Sequence, residues 1–213
     1  MDDNAWYMTI RKYNTSGPPE EVGRRVREGL LPVLKQEPHF RAYYAARMDG
    51  GRGVFAVSVF SDRGAMLEAN SFSKDWVVPN LGALLTAVPE VTIAAVTVHL
   101  DAVQQGHDSY VLIRVTEGLP PFSAVLPTVQ ESLVPLTLKQ PGFRHLYSGR
   151  VEAQSDLAVS VSVFSNRSTA TAAHAQIAAL MAQHQDIWPK PARIVMSGEV
   201  IVAASAKEAD HRL

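Results

Sequence analysis

One ten-residue stretch that occurs twice constrains the fold of this chain more than any other feature. Residues 54–63 read VFAVSVFSDR, and residues 158–167, 104 positions later, read AVSVSVFSNR. A period of about a hundred residues is the length of a domain and far exceeds the repeats of solenoid proteins. The sequence therefore predicts an internal duplication, with repeat 1 over residues 5–100 and repeat 2 over residues 107–204.

Both repeats show the same order of strand-like and helix-like patterns. Alternating apolar residues predict four strands in each repeat, over residues 6–13, 40–47, 54–60 and 91–100 and over residues 110–116, 143–151, 157–164 and 194–202. Apolar residues at helical spacing predict one helix after the first strand and another after the third strand of each repeat. The order is β-α-β-β-α-β, so we predict an α+β fold made of two ferredoxin-like repeats with antiparallel sheets.

The third strands indicate how the two sheets are arranged. A four-stranded sheet with helices on one face leaves its other face bare, and both faces of residues 54–60 lack charged side chains. The bare face must be covered, and the sheet of the other repeat is the natural cover. We therefore predict one pseudo-dimeric α+β barrel within a single chain, in which any further homodimer would use helical surfaces.

Several local features are expected from proline, glycine and polar residues. Pro32 and Pro135 fall inside apolar helical runs, where each should cause a kink or a new last turn. The later helix of repeat 1 is expected to break somewhere within residues 71–79. Residues 101–106 read as a polar joint between the repeats, and the tail after Ala203 is expected to be frayed.

Composition excludes several classes of function. Twenty basic and twenty-one acidic residues give a net charge of −1, without a basic run that could neutralise phosphates, so nucleic acid is not an expected partner. Without cysteine there is no disulfide, thiolate nucleophile or cysteine-ligated metal. The N-terminus is acidic, and no apolar run approaches the ~20 residues of a membrane span, so we expect a cytoplasmic protein without a membrane partner.

An ordered set of short motifs in repeat 1 resembles a known family. The set comprises Tyr7, Arg11 and Tyr13, then Leu31-Pro32, then Pro38, Phe40 and Tyr43, then the repeated strand, and finally Asn70, Trp76 and Asn80-Leu81. Repeat 2 retains Tyr110, Arg114, Pro141-Gly142-Phe143 and Phe164-Ser165. Together these residues resemble tandem antibiotic-biosynthesis-monooxygenase (ABM-like) domains of the dimeric α+β barrel superfamily.

The resemblance implies a small cavity between sheet and helices in each repeat. Members include oxygenases that oxidise aromatic polyketides without a metal, relatives that use reduced flavin, and haem-degrading enzymes. Polyketide-oxidising members look to need an Asn on the third strand and a Trp at its end. At these positions this chain has Ala56 and Phe60 in repeat 1, and Ser160 and Phe164 in repeat 2. Haem-degrading members have an Asn in the first strand, where this chain has Thr9 or Leu112.

Candidate site residues follow from the resemblance and from residue chemistry. The candidate catalytic residues are Arg11, Asn70, Trp76, Arg114 and His174. The candidate substrate-binding residues are Tyr7, Tyr44, Phe60, Tyr110, Tyr147, Phe164 and His184. An Arg in a cavity can hold an enolate, phenolate or carboxylate, whereas an Arg at a strand edge is ordinarily solvated or paired.

The two histidines of the last helix have alternative interpretations. Each could act as a general base or ligate haem iron, or be a hydrogen-bonded residue of the core or rim, as Trp76 could also be a core residue. Ten helical residues separate His174 and His184 by ~15 Å, so one metal cannot bind both. His39 and His145 have no carboxylate at ligand spacing, and no metal site is predicted.

Two functions of different classes remain open at this point. The first is an oxygenase of a small aromatic or polyketide-like substrate that needs no metal, with no bound cofactor or with transient reduced flavin, and with one working pocket of the two. The alternative is a non-catalytic protein that binds haem or a hydrophobic metabolite. A degenerate scaffold with pockets filled by its own side chains is a third possibility.

Overall fold

A computed structural model describes residues 5–51, 53–102 and 109–206. The strands are β1 (Trp6–Asn14), β2 (Phe40–Met48), β3 (Gly53–Phe60), β4 (Glu90–Asp101), β5 (Tyr110–Thr116), β6 (Phe143–Val151), β7 (Gln154–Phe164) and β8 (Arg193–Ser205). The helices are α1 (Pro19–Arg25), α2 (Leu31–Leu34), α3 (Arg63–Leu81), α4 (Phe122–Thr128), α5 (Val134–Leu138) and α6 (Arg167–Ala182).

Hydrogen bonds link the strands in the order β1-β3-β2-β8-β5-β7-β6-β4, which closes into an antiparallel barrel. The predicted α+β class with antiparallel pairing is therefore confirmed. The origin of the chain by duplication, and the repeat boundaries at residues 5–100 and 107–204, stay predictions.

The first compact unit consists of Met1–Thr92 and Ile201–Leu213. In its sheet β3 lies between β1 and β2, and every residue of β3 is buried. The register places Arg11 opposite Ala56 and Tyr43 opposite Ser58. Because strand side chains alternate between faces, Thr9, Arg11 and Tyr13 share one face of this sheet.

The second compact unit is the continuous segment Ile93–Val200. Here β7 lies between β5 and β6, while β8 pairs with β5 and β4 pairs with β6. Arg114 lies opposite Ser160, and Leu146 lies opposite Ser162. Arg114 and Leu146 therefore share one face of the second sheet, which α4, α5 and α6 cover.

A one-residue expansion of the helix precedes each of the two prolines. The backbone N–H of Leu31 donates to Val26 O, and that of Val134 donates to Val129 O, so Val26–Leu30 and Val129–Leu133 are π-helical turns. Proline lacks an N–H and clashes with the preceding turn, and a wider turn accommodates both effects. The expected local distortion at Pro32 and Pro135 thus takes the form of a π turn.

Two local expectations are wrong. Helix α3 is unbroken over its 19 residues and includes Pro79. Pro79 lies close to the end of the helix, where Asn80 Nδ2 also donates to Trp76 O at 2.8 Å, so the missing proline N–H is tolerated. The chain after Ala203 is still β-strand up to Ser205, and the Ala206 N–H donates to Arg41 O at 2.8 Å.

The predicted joint and tail lie partly outside the described residues. Asp101 is the last residue of β4, and the Ala102 N–H donates to Arg144 O at 2.7 Å. The remainder of the joint, residues 103–106, and the tail from residue 207 lie outside the described part of the chain. Among the described residues, no helix combines the length and apolar character needed to cross a bilayer.

Candidate functional site

Arg11 in the first unit is held by neutral side chains. It is 7% exposed, and its guanidinium donates to Ser58 Oγ at 3.4 Å and to Asn70 Oδ1. Asn70 Nδ2 in turn donates to Thr9 Oγ1 at 3.0 Å and contacts Met66 Sδ at 2.9 Å. Asn70 on α3 therefore clamps Arg11 to the sheet, and the candidate pair Arg11 and Asn70 forms a closed hydrogen-bond network.

Aromatic side chains occupy the surroundings of Arg11. Tyr13 and Tyr43 are 8% and 3% exposed. Burial raises the pKa of both phenols, and the charge of Arg11 opposes that rise. Trp76 packs on the first helical layer, since a Cβ added at Gly29 would lie 2.6 Å from Trp76 Cζ2. The first unit thus fills this region with its own side chains.

Arg114 in the second unit occupies the matching strand position in a different environment. It is 5% exposed, and its guanidinium donates to Ser162 Oγ at 2.6 Å. Its Nε is buried without a hydrogen-bond partner, and no carboxylate of the described residues pairs with it. Burial lowers the pKa of Arg114 to about 10, so the guanidinium stays charged at neutral pH. Arg114 is therefore a buried cation without a counter-ion.

A cavity of about 80 Å³ lies beside Arg114, between the sheet and the helices of the second unit. Its polar floor comes from the sheet residues Arg114, Thr116, Ser148, Arg150 and Ser160. Its apolar roof comes mainly from the helical residues Phe122, Val125, Val129, Leu133, Ile177 and Met181. An apolar cavity with few convergent polar groups is the usual form of a small-molecule site, although ~300 Å³ is a typical lower volume for drug-sized ligands.

His174 on α6 lies close to Arg114. Burial and the charge of Arg114 both lower the pKa of His174, so its imidazole is neutral at pH 7. The buried Nδ1 of His174 lacks a hydrogen-bond partner among the described residues. His174 stands 104 positions after Asn70, yet it does not bind Arg114 as Asn70 binds Arg11. His174 thus does not occupy a donor of Arg114 as Asn70 occupies one of Arg11.

Arg150 and Trp188 line the cavity but were not among the residues selected from the sequence. Arg150 donates to the carbonyls of Leu119, Ser155 and Pro120, so its donors are committed to the backbone of the rim. Trp188 is 6% exposed and belongs to the apolar cluster beneath α6. The sequence Ile187-Trp188-Pro189 after a helix is not typical of any kind of site. The sequence therefore did not predict that Trp188 lines the cavity.

The remaining candidates lie elsewhere in the two sheets. Phe60 packs edge-on against Phe40, and Phe164 packs in the same way against Phe143. Tyr7 is partly buried on β1. The guanidinium carbon of Arg167 lies over the Tyr110 ring, 5.7 Å from its centroid. Neither Tyr110 nor Phe164 lines the cavity beside Arg114.

Tyr44 and Tyr147 face away from the arginines, and His184 lies beyond the end of α6. Tyr44 pairs with Val57 and Tyr147 pairs with Val161, so each lies on the sheet face opposite its neighbours Tyr43 and Leu146. Leu146 lines the cavity, whereas Tyr147 stacks on His145. His184 follows the end of α6 and contacts the Trp188 ring edge-on at 6.1 Å.

His145 has a carboxylate partner that was not expected from the sequence. His145 Nδ1 and Asp101 Oδ1 are 2.7 Å apart across β6 and β4, so this histidine does have a carboxylate partner. The pairing could not be seen from sequence spacing because the two residues are brought together by strand register. In the described chain no group of three or more metal-ligating side chains forms a metal site.

The large cofactors implied by the resemblance do not fit the described site. Haem or flavin would need several times the ~80 Å³ of this cavity. His174, the candidate iron ligand, is not among the residues that line it.

Comparison with solved structures shows the fold. A protein from Fusobacterium nucleatum provisionally named a monooxygenase superposes with a TM-score of 0.73 at 12% identity over 95% of both chains. A protein from Lactobacillus acidophilus with the same provisional name gives 0.70 at 14% identity over 95% of this chain and 97% of its own. An anthrone oxidase-like protein gives 0.60 at 13% identity over 95% and 94%.

Chlorite dismutases share the fold as well. The enzyme from Candidatus Nitrospira defluvii superposes with a TM-score of 0.58 at 12% identity over 92% of this chain and 90% of its own. No family model and no curated protein matches the sequence. At these identities the likenesses establish a common fold and leave the reaction to the residues of this chain.

Proposed function

We propose that the protein is an oxygenase of a small acidic aromatic substrate and that its working pocket is the cavity beside Arg114. The observation that carries the proposal is the buried Arg114, which no carboxylate of the described residues pairs with and which lines a cavity with an apolar roof. The fold shared with proteins provisionally named monooxygenases and with an anthrone oxidase-like protein supports it. No metal or bound cofactor is required.

Arg114 stabilises the conjugate base of the substrate. A phenolate or enolate oxygen that reaches the guanidinium of Arg114 from the cavity gains a charge-assisted hydrogen bond in a site sheltered from water. The deprotonated, electron-rich ring is the species that reacts with dioxygen.

The overall reaction balances without another reductant. A ring CH₂ group next to a carbonyl loses its two hydrogens and gains one oxygen atom of O₂, and the second oxygen atom leaves with both hydrogens as water. The carbon centre is oxidised by four electrons, which O₂ accepts in full. The substrate itself thus supplies every electron.

The present volume of the cavity restricts the substrate or requires the helices to move. The π-helical turn Val129–Leu133 contributes Val129 and Leu133 to the roof. Such turns have weaker hydrogen-bond geometry than an α-helix and are common at functional sites. We propose that this turn moves outward when a ring enters.

Isotopically labelled dioxygen tests the proposal. Purified protein is incubated with single-ring hydroquinones and anthrone-type ketones, with and without reduced flavin, and the products are analysed by mass spectrometry. We expect one labelled oxygen atom in the product, at a rate that Arg114→Met lowers about a hundred-fold, as loss of one oxyanion donor does. Arg193→Met removes an exposed arginine paired with Glu117 and is the charge-matched control. Unlabelled product or no product under every condition would contradict the proposal.

A further inference from the structure

We infer that the cavity beside Arg114 binds a small organic monocarboxylate, which competes there with the substrate of the proposed function. The inference rests on the pocket assigned above and names the chemistry of its ligand. The charge of the site and its size support this inference, and binding measurements test it without any oxygen chemistry.

The cavity is lined by one buried cation that no carboxylate of the described residues pairs with. Arg114 is 5% exposed, binds Ser162 alone among the described side chains, and keeps its Nε–H unpartnered. A buried charge without a partner is costly, so an anion that reaches the guanidinium is bound with a large electrostatic gain. A planar carboxylate matches the fork of a guanidinium better than a spherical anion does.

The site offers charge for one negative group. Arg150 lines the same cavity, but its donors are committed to the carbonyls of Leu119, Pro120 and Ser155. The other polar groups of the floor are the neutral hydroxyls of Thr116, Ser148 and Ser160. The carboxylate of Asp156 already acts on the charge of Arg150. Arg114 is therefore the lining cation that lacks a carboxylate among the described residues, and the site selects monoanions.

The volume sets the size of the ligand body. A cavity of about 80 Å³ holds roughly six groups of the size of a water molecule, at ~10–15 Å³ of water-occupied volume each. The roof above Arg114 is apolar, with Val125, Val129 and Ile177 among its residues. A carboxylate with a short branched alkyl group, such as isobutyrate, satisfies charge, size and polarity together.

Thermal unfolding of the full chain measures this binding. Isobutyrate at about 10 mM is expected to raise Tm by ~2 °C or more, whereas the neutral isostere isobutyramide and inorganic phosphate leave it unchanged. Arg114→Met should abolish the isobutyrate shift, and Arg193→Met should preserve it. Equal shifts for acid and amide, or an isobutyrate shift that survives Arg114→Met, would overturn the inference.

A measurement on the unmodified protein guards against a variant that does not fold. The Nε–H resonance of Arg114 in a nuclear magnetic resonance spectrum should move on titration with isobutyrate and stay in place with isobutyramide. An unmoved resonance at saturating isobutyrate would overturn the inference. Carboxylate binding without any oxygenation would refute the proposed function alone, and oxygenation without carboxylate binding would refute this inference alone.

Discussion

Arg11 and Arg114 occupy matching strand positions in the two units, yet their surroundings differ in almost every contact. Arg11 donates to Ser58 and Asn70, while Arg114 keeps only the serine contact, to Ser162. At the position of Asn70 the second unit has His174, whose Nδ1 lacks a partner. The same strand geometry thus gives a closed network in one unit and a buried, unpartnered donor in the other.

The volume around each arginine differs for a related reason. Tyr13 and Tyr43 surround Arg11, whereas the matching positions of the second unit carry the smaller residues Thr116 and Leu146, which line the cavity. Removing large side chains from a packed layer leaves a void unless the backbone collapses. The comparison indicates that smaller side chains at two matching positions accompany the cavity beside Arg114.

Methionine substitution of each arginine should give the largest contrast. Arg11→Met leaves the Asn70 amide and Ser58 without their charged donor, so we expect the free energy of unfolding to fall by about 2 kcal/mol. Arg114→Met removes an unpaired buried cation and places apolar atoms in an apolar cavity, so we expect a change between zero and ~2 kcal/mol of stabilisation. Urea unfolding, followed by fluorescence, measures both. Equal destabilisation by the two substitutions would contradict the comparison.

Exchanging the side chains of Asn70 and His174 tests the same comparison. We expect smaller changes in stability than for the arginine substitutions. His174→Asn gives Arg114 the partner that Arg11 has, so stability should rise by about 1 kcal/mol and isobutyrate affinity should fall about ten-fold. Asn70→His should destabilise the first unit by about 1 kcal/mol because Arg11 loses its amide acceptor. Paired measurements of unfolding and of ligand titration distinguish the two sites. Unchanged isobutyrate affinity in His174→Asn would show that this position does not control Arg114.

The loss of stability at alkaline pH should distinguish the two units, because the first unit has buried tyrosines where the second has none. At neutral pH we expect almost no effect. Burial raises the folded pKa of Tyr13 and Tyr43 above the unfolded value, so their contribution to stability is complete below about pH 10 and is lost as pH rises further. The matching residues Thr116 and Leu146 do not titrate in this range. Tyr43→Phe should therefore reduce the loss of stability between about pH 10 and 12, measured by urea unfolding at each pH. An unchanged pH profile would indicate that Tyr43 is accessible to solvent.

The succession of strands and helices along the chain, and much of the local structure, could be predicted from the sequence because they depend on short-range patterns. Alternation in residues 54–60 predicts β3, and Pro32 and Pro135 predict the two distorted helices. The break expected in α3 was wrong because Pro79 lies near the helix end, where the missing N–H costs little. The pairing of His145 with Asp101 could not be predicted, since it depends on the register of β4 against β6.

The candidate site was predictable in its residue types but not in its location. The sequence alone determined that Arg11 and Arg114, and likewise Asn70 and His174, stand at matching positions, that cysteine chemistry is absent, and that the fold is α+β. Only the tertiary structure decided that Arg11 is satisfied, that Arg114 is not, and that a cavity lies beside Arg114. Hydrogen-bond satisfaction and void volume are sums over side chains from several strands and helices, and such sums exist only once those elements have packed together.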